Sequence, residues 1–474
     1  MAVTDSRSGF PSVLQPSLSF LVRWGPFVVP VIYWAVILAL QPPDRLGHWE
    51  TSRDLDRRVY DDYDVTAYAL RGINAALGRA PGRIDEPSRG RWDPQTDLDS
   101  RYFLEYPHAA LGLFQLGYLF PPSVRDLSPP QWVLNANHLS IVEFDPRTHS
   151  EPIQLLWRKF RQAIRIYVTL MTACLLGLMV VLEKGYEPGD RLTGPIALLL
   201  LPATLYFAAN RFDIFPALLT AQSLASLGRK RIVLSAMILG AATMIKVYPA
   251  LLVFLVIRFL GTNRRSAGIW IGAYAVTLVC FLLPPIWFWG WDATIAPYRY
   301  QLSRSMDGMT FYGHLLPEAL GESSALGSIF RLSCVLAAVS SMIWTRPQDL
   351  AGLLRRGTVV LFVFVSLQVF YSPQWIIWFA PLWLPLVRIH PPLVCLILGL
   401  EIVTYDTFPV VYDMEIGRVR DIFFTALIYL RAFFLAAALL ALLWWEFGRK
   451  KLEAPGIEPG SRGISAPPST CVAC

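Results

Sequence analysis

Apolar residues run through this chain in long stretches separated by short polar breaks. The first stretch goes from Trp24 to Leu40. Others cover 106–120, 162–182, 195–209, 212–227, 232–245, 247–260, 267–289, 326–344, 358–371, 374–388, 391–405 and 421–447. Such runs predict membrane-spanning helices, although several fall short of the ~20 residues that a full crossing needs. Two long stretches are interrupted by charge. Asn210-Arg211-Phe212-Asp213 breaks 195–227, and Lys246-Val247-Tyr248-Pro249 breaks 232–260. Charges at membrane depth are costly and point to function by default. A water-filled cavity floored by Arg211, Asp213 and Lys246 would accommodate them.

Basic residues give the orientation. Arg229-Lys230-Arg231, Arg258 with Arg264 and Arg265, Arg346 with Arg355 and Arg356, Arg388, and Arg449-Lys450-Lys451 all lie between or after the runs. They share one side if 232–245 and 247–260 form an up-down pair. That side is cytoplasmic, because basic loops stay inside. The first run, with no cleavage site behind it, reads as an uncleaved span. Counting back, one early run cannot cross, and 106–120 is read as a helix lying at the outer interface. The alternative is that 106–120 crosses and 195–227 is one broken span. The first count gives an all-α polytopic protein of about twelve transmembrane helices with both ends cytoplasmic. Residues 1–447 form one transmembrane domain, 41–161 a large extracytoplasmic loop region, and 448–474 a disordered cytoplasmic tail.

Composition sharpens this reading. Of 474 residues, 54% are hydrophobic and 16% charged, and the mean hydropathy is +0.43. Soluble chains carry about 25% charged residues, so a soluble enzyme is excluded. The net charge of +7 belongs to the cytoplasmic loops and does not suggest nucleic acid. Of the six cysteines, Cys174, Cys280, Cys334 and Cys395 sit inside apolar runs as small hydrophobes, and no structural disulfide is expected.

Chemistry is sought where charge is scarce. Asp54, Asp56, Asp61, Asp62 and Asp64 crowd in front of an apolar-periodic stretch, Val65 to Leu77. A carboxylate there can act as a general base on a hydroxyl or bind a divalent cation. It can equally cap a helix. Arg211 suits phosphate oxygens or an ion pair with Asp213. Lys246 is a buried cation or a snorkelling one. The loop 290–325 mixes Arg299, Arg304, Asp307 and His314 with Tyr298, Tyr300, Phe311 and Tyr312, a set suited to a sugar phosphate or to an ordinary interfacial loop. There is no zinc spacing, P-loop or GxSxG motif.

Together these pieces resemble the polytopic GT-C glycosyltransferases, and glycosyltransferase family 87 in particular. Asp64-Val-Thr-Ala-Tyr68 followed by Gly78 resembles the family's first outer loop. Tyr106-Pro107 resembles its Tyr-Pro-Pro element, with His108 replacing the second proline. Asn210 to Ala217 resembles its Arg-x-Asp segment, and Lys246-Val247-Tyr248-Pro249 its Lys-x-Tyr-Pro turn. Tyr371-Ser372-Pro373-Gln374-Trp375 and the stretch Trp378 to Pro381 resemble its late outer motif. The similarity runs over about 60–390, with 121–160 looking like an insertion.

The resemblance implies transfer of a hexose, mannose foremost, from a polyprenyl-phosphate sugar to a lipid or glycan acceptor. The reaction would invert the anomeric centre, on the extracytoplasmic face of a bacterial plasma membrane. It implies Asp64 as base, with Asp62 next in line. Tyr68, Tyr106, Arg211, Asp213, Lys246, Tyr248, Arg304, His314 and Gln374 would contact substrate. No cofactor is implied; the acidic cluster permits a divalent metal that the family pattern does not demand. A multi-pass transporter or flippase is the alternative from the same broken helices. A non-catalytic membrane scaffold is a third reading.

Overall fold

The structure, a computed structural model, describes residues 15–40, 62–83, 102–121, 123–127, 129, 151–187, 195–261, 263–303, 309–311, 314, 329, 332, 333, 336, 340, 346–368, 370–412, 414 and 417–452. Most of the expected span 326–344, most of the loop 290–325 beyond Ser303, the acidic residues before Asp62, and the tail from 453 lie outside this set.

The helices are, in order, α1 (Gln15–Leu40), α2 (Asp62–Ala76), α3 (Ala109–Gln115), α4 (Glu151–Glu183), α5 (Pro202–Asn210), α6 (Ile214–Gly228) and α7 (Ile232–Ile245). They continue with α8 (Val253–Leu260), α9 (Arg264–Ser303), α10 (Leu350–Leu367), α11 (Ile376–Val387), α12 (Leu393–Tyr405) and α13 (Arg418–Leu452). Short 3-10 turns lead into α5, α8 and α11. Strands β1 (Pro81–Arg83) and β2 (Tyr102–Phe103) pair in parallel, so the all-α expectation needs this one small amendment. Five helices among the described residues are long and apolar enough to cross a membrane: 154–183, 264–302, 350–367, 393–411 and 418–446. The other described candidates are shorter apolar helices.

Packing sorts the helix ends into two groups. Helices α6 and α7 lie side by side, joined by the turn Arg229-Lys230-Arg231. At that end Arg229 Nη2 donates to Gly185 O at 3.0 Å. Gly228 has no room for a Cβ between Tyr186 O and Leu350. Arg346 Nη2 donates to Phe259 O at 2.7 Å there. Arg355 and Arg356 meet Glu446 of α13 at 3.2 and 2.7 Å. The far end of the α6–α7 hairpin carries Asp213 and Lys246. An α6 of 15 residues spans about 22 Å, so these two charges stand that far from the basic turn.

Three boundaries differ from the sequence expectation. Helix α10 begins at Leu350 rather than near 358, because the Asp349 side chain caps it by accepting from Gly352 N at 2.6 Å. Arg355 and Arg356 therefore sit on a helix and are neutralised by Glu446. Helix α9 runs on past the paired prolines to Ser303 and breaks at Gly290, whose φ of 82° suits glycine. Helix α4 starts at Glu151, so the insertion expected over 121–160 loses its last ten positions. The basic stretch 157–165, which sits against the positive-inside tendency, is explained in part by Lys159: its ammonium is buried and donates to Phe120 O.

The run 106–120 folds as α3 and one 3-10 turn, Ala109–Tyr118. Ten residues cover about 15 Å, half of the ~30 Å hydrocarbon core. Close approaches seat it. A Cβ at Gly72 would strike Phe114 O, and one at Gly117 would strike the Ala163 backbone. Helix α5 is held from outside itself. Its N-cap residue Leu201 offers no side-chain hydrogen bond. The buried Glu401 of α12 instead accepts from Thr204 N at 2.9 Å and from the Thr204 hydroxyl. A carboxylate at a helix N-terminus satisfies orphan N–H groups and opposes the positive end of the dipole.

Candidate functional site

Both breaks in the apolar pattern become helix ends, and both ends meet. Arg211 ends α5 in an extended conformation, and Asp213 begins α6. Lys246 ends α7, also extended. The hairpin brings Lys246 Nζ to 3.0 Å from Asp213 Oδ1 and 3.2 Å from Oδ2. Trp378 Nε1 of α11 donates to the same Oδ1 at 2.6 Å. Asp213 is fully buried, and among the described residues Lys246 and Trp378 hold its carboxyl group through charge-assisted bonds. Its partner is Lys246 and not Arg211, a long-range pair that settles the local alternative. Arg211 lies instead with its guanidinium 5.9 Å from the Phe408 ring.

Aromatic rings enclose the pair. Lys246 Nζ stands 4.6 Å from the Phe212 centroid, 4.9 Å from Tyr106 and 5.7 Å from Trp378, within cation–π range. Tyr248 stacks on Trp378 at 4.4 Å and 7°, and Trp375 also stacks on Trp378 at 4.8 Å. Tyr106 meets Phe212 edge-on at 4.7 Å. Tyr68 packs against Tyr106, Phe114, Tyr167 and Phe212. Thus Tyr68, Tyr106, Asp213, Lys246 and Tyr248, from four separated stretches of sequence, converge on one cluster. Gln374 is buried on the 3-10 turn beside Trp375.

Helix α2 contributes Tyr68 to this cluster. Positions 64, 68 and 71 share one helical face by spacing, and Tyr68 is in the cluster. The side chains of Asp62 and Asp64 lie outside the described set, as does Arg304. His314 is exposed and stands beside Tyr429 of α13 at 6.4 Å, outside the ring cluster.

Three participants were not named as site residues from sequence, although Trp378 lies in the late motif. Arg71 of α2 is 4% exposed, pairs with Glu105 at 3.4 Å, and lies 5.4 Å from the Tyr106 centroid. Trp378 supplies the hydrogen bond to Asp213. Glu401 holds α5. A lone acid inside the run 391–405 is the signal that points to Glu401. Among the described residues, no three of His, Cys, Asp and Glu gather as a metal site would need.

Comparison with known families bears on this cluster directly. Residues 152–369 match the model of glycosyltransferase family 87. Over that segment, a little under half of the chain, the sequence is similar to family 87 glycosyltransferases. The match contains Arg211, Asp213, Lys246 and Tyr248, so the ion pair and its stacked tyrosine belong to the recognised region. The acidic loop, Tyr68, Tyr106 and the stretch Tyr371 to Pro381 fall on either side of it. No curated protein matches the chain. The family match and the apolar helices together support a membrane glycosyltransferase.

Proposed function

We propose that this glycosyltransferase moves a hexose, mannose foremost, from a polyprenyl-phosphate sugar to a lipid or glycan acceptor on the extracytoplasmic face, with inversion. Asp64 deprotonates the acceptor hydroxyl, with Asp62 next in line. The hydroxyl oxygen attacks the anomeric carbon, and the bond to the phosphate oxygen breaks. Polyprenyl phosphate leaves, its charge met by Lys246, Arg211 and Arg304, while His314 contacts the phosphate or an acceptor hydroxyl and Gln374 contacts substrate. The observation that carries this reading is the buried Asp213–Lys246–Trp378 contact, placed at the meeting point of two broken helices and ringed by Tyr68, Tyr106 and Tyr248. Fixed charges in a water-poor site stabilise developing charge without reorganisation. Aromatic faces suit a sugar ring.

The twelve-crossing arrangement belongs to the same proposal. Among the described residues the two groups of helix ends alternate from α4 to α9 and again from α10 to α13, which supports one crossing per apolar segment. The end with Arg229, Arg346, Arg355 and Arg356 is then cytoplasmic, and the Asp213–Lys246 end faces outward.

The test is turnover of a radiolabelled polyprenyl-phosphate hexose by purified protein in detergent. Transfer to an acceptor with release of polyprenyl phosphate supports the reading. Donor left intact in detergent but moved across a vesicle bilayer contradicts it and favours a transporter.

A further inference from the structure

The segment Glu105–His108, between β2 and α3, touches three parts of the molecule. The Glu105 carboxylate pairs with Arg71 of α2 at 3.4 Å. The Glu105 carbonyl accepts from Gln301 Nε2 of α9 at 2.8 Å. The Tyr106 ring has two cations within 6 Å of its centroid, Arg71 from α2 at 5.4 Å and Lys246 from α7 at 4.9 Å. Each cation is neutralised on its own side, Arg71 by Glu105 and Lys246 by Asp213. Arg71 also lies 5.9 Å from the Tyr68 centroid on its own helix. Burying a guanidinium to 4% exposure is costly unless it is paired and held in good geometry. Its described partners include the Tyr68 and Tyr106 rings and the Glu105 carboxylate, all next to the candidate site.

We propose that Arg71 and Glu105 are a positioning pair for the glycosyl transfer. They fix the first turn of α2, which carries Asp62 and Asp64, at a set separation from the Lys246–Asp213 pair, acting through the Tyr106 ring. The proposal rests on the transferase reading above, since it gives the fixed separation a purpose. Its physical basis is spacing: Arg71 sits seven residues from Asp64, on the same helical face. A tether at Arg71 therefore constrains both the rotation of α2 and its height. A misplacement of about 1 Å between a catalytic group and its substrate costs on the order of 10²-fold in rate. Arg71 touches no reacting atom in this scheme, so its loss acts on turnover and leaves donor affinity in place.

The experiment uses the full chain in detergent, with Arg71→Leu and Arg71→Lys. Three readouts are taken: kcat and KM for a polyprenyl-phosphate hexose, thermal unfolding, and amide hydrogen exchange. For Arg71→Leu, kcat falls about 30–100-fold while KM for the donor stays within about twofold. Exchange rises in peptides covering 62–76 and is unchanged in those covering 214–245. Arg71→Lys, which keeps the charge but not the fork, restores part of kcat. A raised KM with unchanged kcat would make Arg71 a substrate contact and overturn the proposal. So would wild-type kcat in Arg71→Leu, or faster exchange throughout the molecule. Should Arg71→Leu fail to fold, Glu105→Gln is read in the same way. If the wild type itself transfers no sugar, the transferase reading falls, and the exchange arm still decides whether the pair fixes α2.

Discussion

At the scale of single residues, the strongest statement concerns Asp213. A buried carboxylate with one cation and one indole donor is held by both. Removing the cation alone leaves an unpaired charge, so Lys246→Met should lower stability by about 3–5 kcal/mol in thermal unfolding in detergent. The double variant Lys246→Met with Asp213→Asn should regain much of that stability and none of the activity. Trp378→Phe keeps an aromatic ring but loses the N–H, and should cost about 1–3 kcal/mol. His108 gives a pH dependence. Burial pushes its imidazole down to about 4 from 6.5, only partly offset by a hydrogen bond to the Ala293 backbone. The folded protein therefore keeps it neutral where the unfolded chain is protonated. Stability is full above about pH 6.5 and falls as pH drops towards 4, by about 2 kcal/mol at pH 5. Melting curves between pH 7.5 and 5 should show this slope, and His108→Phe should flatten it. The partner of Asp213 was not legible in sequence. Arg211 is two positions away and Lys246 is 33, and only the α6–α7 hairpin decides between them.

At the scale of elements, the breaks were legible because each sets a charge and a proline into an apolar run. Asn210 to Pro216 and Lys246 to Pro249 became helix ends where the pattern put them. The start of α10 was not legible, because Arg355 and Arg356 read as loop residues until Glu446, some ninety positions on, neutralises them. Helix α5 depends on α12 for its N-terminal cap. Glu401→Ala should raise amide exchange in the first turn of α5 and cost about 1–2 kcal/mol or more, while Glu401→Gln, which still accepts hydrogen bonds, should cost less. The seat of α3 is equally specific. Gly72→Ala or Gly117→Ala must push α3 or its following turn away from α2 and α4, and both should reduce turnover by displacing Tyr106.

At the scale of the whole molecule, the scarce charge sorts into a basic end and a mixed, aromatic-lined end, separated by the length of α6. Composition made the membrane legible at once, and basic runs suggested its sidedness. Convergence of the cluster came from the order of broken helices, which no single motif reveals. Sidedness has a direct check. Lys230→Cys should react with a membrane-impermeant maleimide only from the cytoplasmic side, and the exposed Val247→Cys only from outside; labelling of both from one side would remove the hairpin reading. The central claim, that an acidic first turn of α2 performs base catalysis opposite the Asp213–Lys246 pair, is tested most directly by Asp64→Asn. In folded protein of unchanged melting temperature, turnover of a polyprenyl-phosphate hexose should fall by about 10²–10⁴-fold, whereas undiminished turnover would contradict the assignment.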